Sequence, residues 1–156
     1  MDTLTLRLAV ADDAAKIAQL WLENTHEVAK LEPIYTPALD QQSLARDLQI
    51  ALAQEKLAAF VIYQGDALAA YASFRLETSE PQFVSRRYLY VIDVDVAPAF
   101  RQQGLSRKLM TALEKHAVSL GISRLELSVM AADARARTVW ERHGFKPHLL
   151  QLHKDL

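Results

Sequence analysis

Residues 93–108 read Asp93-Val94-Asp95-Val96-Ala97-Pro98-Ala99-Phe100-Arg101-Gln102-Gln103-Gly104-Leu105-Ser106-Arg107-Lys108. The first four close a strand-like run that begins at Tyr88, and Pro98 ends it. From Gly104 to Leu120 the apolar positions Leu105, Leu109 and Leu113 fall at helical spacing, and Gly121 is a C-cap. A strand therefore runs through a short basic loop into a helix. A helix start leaves backbone N–H groups unpaired and carries partial positive charge, so it suits a phosphate. Gly104 lets an anion approach the backbone, and Arg101, Arg107 and Lys108 put cations around the same point. A diphosphate is the natural ligand. A plain strand–loop–helix with a solvated basic end would use the same residues. Neither the G-x-x-x-x-G-K-[ST] loop nor the G-x-G-x-x-G fingerprint is present.

Outward from this stretch, Leu4 to Val10 alternates with period two and predicts a strand. Asp12 or Asp13 caps a helix with Ile17, Leu20 and Trp21 on one face, running to about Asn24 or slightly beyond. The segment from His26 to Leu39, with Pro33 and Pro37, reads as a loop. Asp40 caps a second helix through Leu44, Leu48 and Leu52. Leu57–Tyr63 and Ala67–Leu76, joined by Gly65-Asp66, predict a hairpin. Thr78 to Arg86 is a loop. Leu125 to Val129 is a further strand, Asp133 caps a helix to His143, and Phe145 to His153 is a last strand region containing Pro147. The order β-α-α-β-β-β-α-β-α-β predicts an α/β domain of the three-layer α+β kind with a mixed sheet.

The chain has 156 residues, 51% hydrophobic and 24% charged, enough apolar material for one substantial core. Residues 1–156 read as a single domain, without repeats or linkers. A net charge of −1 advertises neither nucleic acid nor an anionic membrane. Zero cysteines exclude disulfide scaffolds, Cys-ligated metal and Cys nucleophiles. With no signal peptide and no membrane-length apolar run, a cytoplasmic protein is expected.

Two motifs carry a resemblance. Val96-Ala97-Pro98-Ala99-Phe100-Arg101-Gln102-Gln103-Gly104-Leu105-Ser106 resembles V-x-P-x-x-[RQ]-x-x-G-x-[GA], a signature of the GNAT superfamily of acyl-CoA N-acyltransferases. Asp133 to Phe145 resembles that family's N-x-x-A-x-x-x-Y-x-x-x-G-F. The element order and the spacing of the two motifs match as well. The resemblance implies a splayed central sheet of about six or seven strands flanked by about four helices. It implies acetyl-CoA as cosubstrate, without a metal. The amides of Gln102, Gln103, Gly104, Leu105, Ser106 and Arg107 would hold the pyrophosphate, with Arg101 at the family's Arg/Gln position. The pantetheine arm would pair with the backbone of Val94, Asp95 and Val96, and an N–H of the splayed strand would polarise the thioester carbonyl. The acetyl group would pass directly to a primary amine of a small molecule, amino acid or peptide N-terminus, in a ternary complex. The resemblance leaves homodimerisation open and implies no nucleic acid or membrane partner.

Three positions depart from the family pattern. Ser106 replaces Gly/Ala, and Asp133 replaces Asn but still caps a helix. Trp140 stands where many members carry a Tyr that protonates the leaving thiolate. An indole has one N–H donor and no usable acidity. A thiolate of pKa about 8.5 leaves tolerably unaided, so a slower enzyme, another acid or a non-catalytic binder all fit Trp140. The resemblance places Trp140, with Asp133, among the cofactor-binding residues; Trp140 fits equally as a plain core aromatic. His143, near i+3 from Trp140, is one substitute acid.

For the base, Asp93 and Asp95 lie on the key strand and share a face if the strand is regular. Asp93 can take the proton that an alkylammonium must lose before it attacks. Two solvent-facing carboxylates are the plainer reading. His26, Glu32 and Tyr35, with Glu27, sit in the segment that forms one wall of the acceptor site in the family. His116 reads as structural, and His148 and His153 lack metal-ligand spacing. Acidic groups near the slot favour a cationic acceptor over an anionic one. The alternative is a degenerate acyl-CoA-binding sensor or interaction module, which Trp140 keeps open. A nucleic-acid binder built on Arg86, Arg87, Arg101, Arg107 and Lys108 is weaker, because no aromatic-basic stacking motif accompanies them.

Overall fold

Apolar alternation in the strands and apolar stripes on the helices resolve into three layers. The computed structural model describes residues 3–156. β1 (Leu4–Leu8), β2 (Ala58–Gln64), β3 (Ala67–Thr78), β4 (Arg87–Val96) and β5 (Leu125–Leu127) form one sheet in the order 1-2-3-4-5. Neighbours are antiparallel except β5, which runs parallel to β4. α1 (Ala14–Leu31) and α2 (Gln41–Ala53) cover one face around Ile17, Leu20, Val61 and Tyr71. α3 (Leu105–Ser119) and α4 (Ala134–Arg142) cover the other, where Leu105, Leu109 and Leu113 pack on Ile62, Phe74, Leu89 and Val91. His116 is a core residue, edge-on to Phe60 and Phe74 at 5.7 and 5.2 Å. No helix among the described residues is long and apolar enough to cross a membrane.

The α/β three-layer class and the four helices are as expected, but among the described residues the sheet has five strands rather than six or seven. Phe145 to His153 does not form a strand. Leu149, Leu150 and Leu152 are exposed, and Pro147 lacks the N–H that a ladder needs. β5 is also shorter than expected, ending at Leu127 where its ladder with β4 ends. α1 runs to Leu31, so His26 to Leu31 is helix and not loop. Nothing from Asn24 to Leu31 breaks a helix. The stop comes from Pro33, which forces Glu32 before it into an extended conformation (φ −141°, ψ 96°). A single turn, Pro33–Tyr35, then leads to Asp40, whose carboxylate accepts from the Ser43 N–H at 2.7 Å and starts α2.

One irregularity positions the site. Phe74 pairs with Val91, but the next β3 position, Ser73, pairs with Asp93, so Ile92 is an extra residue in β4. Before this bulge Leu89 and Val91 face α3. In an unbroken alternation Asp93 and Asp95 would face α3 too. The bulge turns both to the α1/α2 face, opposite Ser73 and Tyr71, and leaves Val94 and Val96 on the α3 side.

Candidate active site

The parallel ladder between β4 and β5 covers Leu89↔Leu125, Tyr90↔Glu126 and Val91↔Leu127, and then stops. Past Val91 the two strands part, so Ile92 to Val96 has a β3 neighbour on one side and an open edge on the other. The gap opens at the bulge.

At its far end the chain turns through Pro98–Phe100 into α3. Gln102 has φ +63° and Gly104 φ +74°. Left-handed residues in such a loop aim successive N–H groups toward one concavity. The first α3 carbonyl is engaged only at Lys108, which donates to the Gly104 carbonyl at 3.2 Å. The N–H groups of Leu105, Ser106 and Arg107 therefore lack intrahelical acceptors. A Cβ at Gly104 would meet nothing within 4 Å, so the space above this turn is open. Arg107 and Lys108 are exposed beside it.

Arg101 does not stand over the helix start. Its guanidinium folds back to the Asn24 side-chain oxygen at 3.1 Å and the Val96 carbonyl at 3.4 Å. It ties the loop to α1 and faces the carboxylates instead. Arg86 is likewise engaged, paired with Glu126 at 3.1 Å, so two of the five cations grouped in the sequence are committed elsewhere.

Behind the open edge lie Asp93 and Asp95, on one face as expected. The Tyr71 hydroxyl donates to Asp95 at 2.7 Å, and the Ser73 hydroxyl donates to Asp93 at 3.3 Å. Trp21 also donates to Asp93, and Asn24 to Asp95. Burial, reinforced by the charge of Asp95, pushes Asp93 up to about 6 despite the Ser73 and Trp21 bonds. Burial also raises Asp95, while Tyr71, Asn24 and the Arg101 charge pull it back. Tyr71 is fully buried and held well above its usual range by burial and by the charges of both carboxylates. Among the described residues no cation bonds Asp93 directly. Ile17, Trp21, Leu44, Leu48 and Leu57 line a partly open cavity of about 110 Å³ whose sheet side is Tyr71, Ser73, Ile92 and Asp93.

On the opposite face Trp140 is half-buried against the α3 core, edge-on to Phe145 at 5.8 Å and 5.9 Å from the His143 ring. Asp133 caps α4 by accepting from the Ala136 N–H at 2.9 Å, so its carboxylate orients the helix that carries Trp140. His26 and Tyr35 are exposed and Glu32 is half-buried. Among the described residues none of the three bonds to either carboxylate, and Glu27 pairs with Lys30.

Tyr71, Ser73, Trp21 and Asn24 escaped the sequence reading. The signal for the first two was the alternation in Ala70-Tyr71-Ala72-Ser73-Phe74, polar-bearing residues at every second position of an otherwise small, apolar strand. Trp21 and Asn24 sit at i and i+3 on α1, where Trp21 looks like a core residue and nothing local marks Asn24.

A family model described as the acetyltransferase (GNAT) family matches residues 19–145. An L-ornithine N5-acetyltransferase, NATA1, from Arabidopsis thaliana is 31% identical over 64 residues, 41% of this chain and 28% of that protein's length. A tetramutant of the BH1408 protein from Bacillus halodurans superposes with TM-score 0.85 at 20% identity, covering 97% of this chain and 99% of that one. A predicted acetyltransferase with acetyl-CoA from Clostridium acetobutylicum superposes with TM-score 0.76 at 18% identity, covering 98% and 96%.

Proposed function

Because the chain belongs to the GNAT acetyltransferase family, we propose that it is, as one domain over residues 1–156, an acetyl-CoA-dependent N-acetyltransferase acting on a cationic primary amine. The observation that carries this reading is the parted β4/β5 gap, with a helix N-terminus at one end and two raised carboxylates behind its open edge. The solved relative holding acetyl-CoA supports the cosubstrate, and the partial match to an N-acetyltransferase supports transfer to an amine nitrogen, without its acceptor carrying over.

The residues fit acetyl-CoA. With Gln102 and Gly104 at positive φ, the N–H groups from Gln102 to Arg107 would hold a pyrophosphate, with Arg107 and Lys108 beside them. The open edge of Val94 to Val96 offers backbone groups to an extended amide-bearing arm. The bound cosubstrate supplies an activated acetyl thioester. An edge N–H of β4 then stabilises negative charge on the carbonyl oxygen. Asp93 receives the proton that the ammonium must lose. At about 6 it is ionised at neutral pH, yet nearer to an alkylammonium (about 10.4) than an ordinary carboxylate is. Asp95, held by Tyr71 and Asn24, keeps a second negative charge by the cation. The amine nitrogen bonds to the acetyl carbon, the carbon–sulfur bond breaks, the nitrogen gives up its second proton to solvent, and the thiolate leaves on the Trp140 side. Trp140 brings no proton to it, so the thiolate departs unassisted or takes its proton from solvent.

Release of free thiol from acetyl-CoA across a panel of amines, with melting temperature recorded on the same samples, tests this reading. Stabilisation by acetyl-CoA with amine-dependent thiol release is expected. Stabilisation with no turnover of any amine would favour the second reading, an acyl-CoA sensor, which draws on Trp140 being packed as a core aromatic. Gly104→Ala should raise the KM for acetyl-CoA about fivefold, since a Cβ would enter the open space that the phosphate needs at a loss of about 1 kcal/mol of binding. An unchanged KM would remove the pyrophosphate from this loop.

A further inference from the structure

The cavity beside Asp93 narrows the acceptor beyond "a cationic amine". Its walls are almost wholly hydrocarbon: Ile17 and Trp21 from α1, Leu44 and Leu48 from α2, and Ile92 from the bulge. Asp93 forms one end, with the Ser73 hydroxyl bonded to it. The cavity adjoins the bulge at which β4 leaves β5, so a molecule whose nitrogen sits at Asp93 has its remaining atoms among the leucines and its nitrogen at the gap.

We infer that the acceptor is a primary monoamine carrying a short, branched apolar group, its ammonium on Asp93 and its hydrocarbon in the α1/α2 cavity. This rests on the acetyltransferase reading above and deepens it.

Three arguments carry the choice. The first is size: about 110 Å³ is smaller than the ~150 Å³ apolar cavity that holds a benzene ring, so about four or five carbons fill it. The second is charge. Asp93 and Asp95 repel a substrate carboxylate, and Arg101, whose charge acts on Asp95, is spent on Asn24 and Val96. α-Amino acids are therefore poor acceptors. The third is desolvation. A second ammonium placed among Leu44, Leu48 and Ile17 would have no partner and would bear the full cost of burial, which disfavours polyamines. The bulge makes this possible, because without it Asp93 would face α3 and the cavity would have no charged end.

The test measures kcat/KM with saturating acetyl-CoA for methylamine, ethylamine, propylamine, 2-methylpropylamine, 3-methylbutylamine and hexylamine, with spermidine and glycine as comparators. A rise of roughly fourfold per carbon is expected up to the branched amines, and a fall at hexylamine, since a buried methylene contributes about 0.8 kcal/mol. Spermidine and glycine should lie at least about tenfold below 3-methylbutylamine. Leu48→Phe shrinks the cavity and should move the optimum to shorter amines. Leu48→Ala enlarges it and should move the optimum to longer ones. The pair guards against one variant failing to fold, and melting temperatures identify such a failure. Rates flat in chain length, spermidine as the best acceptor, or an optimum unmoved in both folded variants would overturn the inference and leave the acetyltransferase reading standing. No turnover of any amine alongside clear stabilisation by acetyl-CoA would overturn both.

Discussion

Asp13 and Asp93 are both carboxylates withdrawn from water, and their surroundings drive them in opposite directions. Asp13 accepts from the Arg7 guanidinium at 2.7 and 2.9 Å, from the Val10 N–H at 2.8 Å and from the Tyr63 hydroxyl at 2.8 Å. Burial alone would raise its pKa, but these bonds and the Arg7 charge outweigh burial and hold it at about 2. Arg7 and Lys16 also stack their cations over the Tyr63 ring, at 5.2 and 5.1 Å. The cluster clamps the end of β1 to the start of α1 and leaves no lone pair waiting for a ligand.

Among the described residues Asp93 has two neutral donors, a like-charged neighbour and no cation of its own. A carboxylate ringed by donors and a guanidinium stabilises the fold. One half-buried beside a second carboxylate, in a cavity wall, strains the fold and is available for chemistry.

The contrast breaks most sharply on activity. Asp93→Asn should lower kcat by about 10²–10³ through loss of the proton acceptor, whereas Asp13→Asn should leave kcat of the folded enzyme within about a factor of two. Equal losses in steady-state rates of the two variants would erase the distinction.

Stability comes next, and the signs differ. The folded-state value of Asp13, about 2, lies below an unfolded value of about 3.9. Its contribution is present above about pH 4 and is lost as pH falls through about 2. Asp13→Asn should therefore cost about 2 kcal/mol at pH 7, a drop of roughly 4–8 °C in melting temperature, and much less near pH 2.

For Asp93 the folded-state value, about 6, lies above the unfolded one, so its favourable contribution is complete below about pH 4 and is lost as pH rises through about 6. Asp93→Asn should accordingly raise the melting temperature by a few degrees at pH 8, through about 1–2 kcal/mol, with the gain vanishing by about pH 4. Melting curves of both variants across pH would expose a wrong sign directly.

The smallest effect separates the two tyrosines. Tyr71→Phe removes a donor from ionised Asp95, so the acidic pair holds a proton more tightly. The acid limb of the kcat/KM profile should then move up by about one unit, titrating as a pair. Tyr63→Phe takes the equivalent donor from Asp13 and should leave that limb in place while costing about 1 kcal/mol of stability. A limb that moves in both variants, or in neither, would unseat Asp93 and Asp95 as the groups it reports.

Periodicity and punctuation in the sequence determined the three-layer class, the four helices and the strand–loop–helix from Val96 to Lys108. These are local properties, set by apolar spacing, caps such as Asp40 and Asp133, and the backbone freedom of Gly104. The two motifs were enough to name the family. Helix ends were misjudged where local cues conflict: α1 passes through the apparent loop at His26 because only Pro33 forbids another turn. The last strand failed because a strand needs a partner, and no partner can be read from Phe145 to His153 itself.

The site was less legible. Asp93 and Asp95 could be picked out as a same-face pair, but which face they take depends on one extra residue, Ile92, in register with β3. A bulge is a property of two paired strands, so it has no signature in either one alone. The pKa of Asp93, the donors Tyr71, Trp21 and Asn24, and the retreat of Arg101 toward α1 all follow from packing between segments distant in the chain. The sequence supplied the groups and their chemistry. Only the tertiary structure decided which are dry, which are paired, and which stand together at the gap.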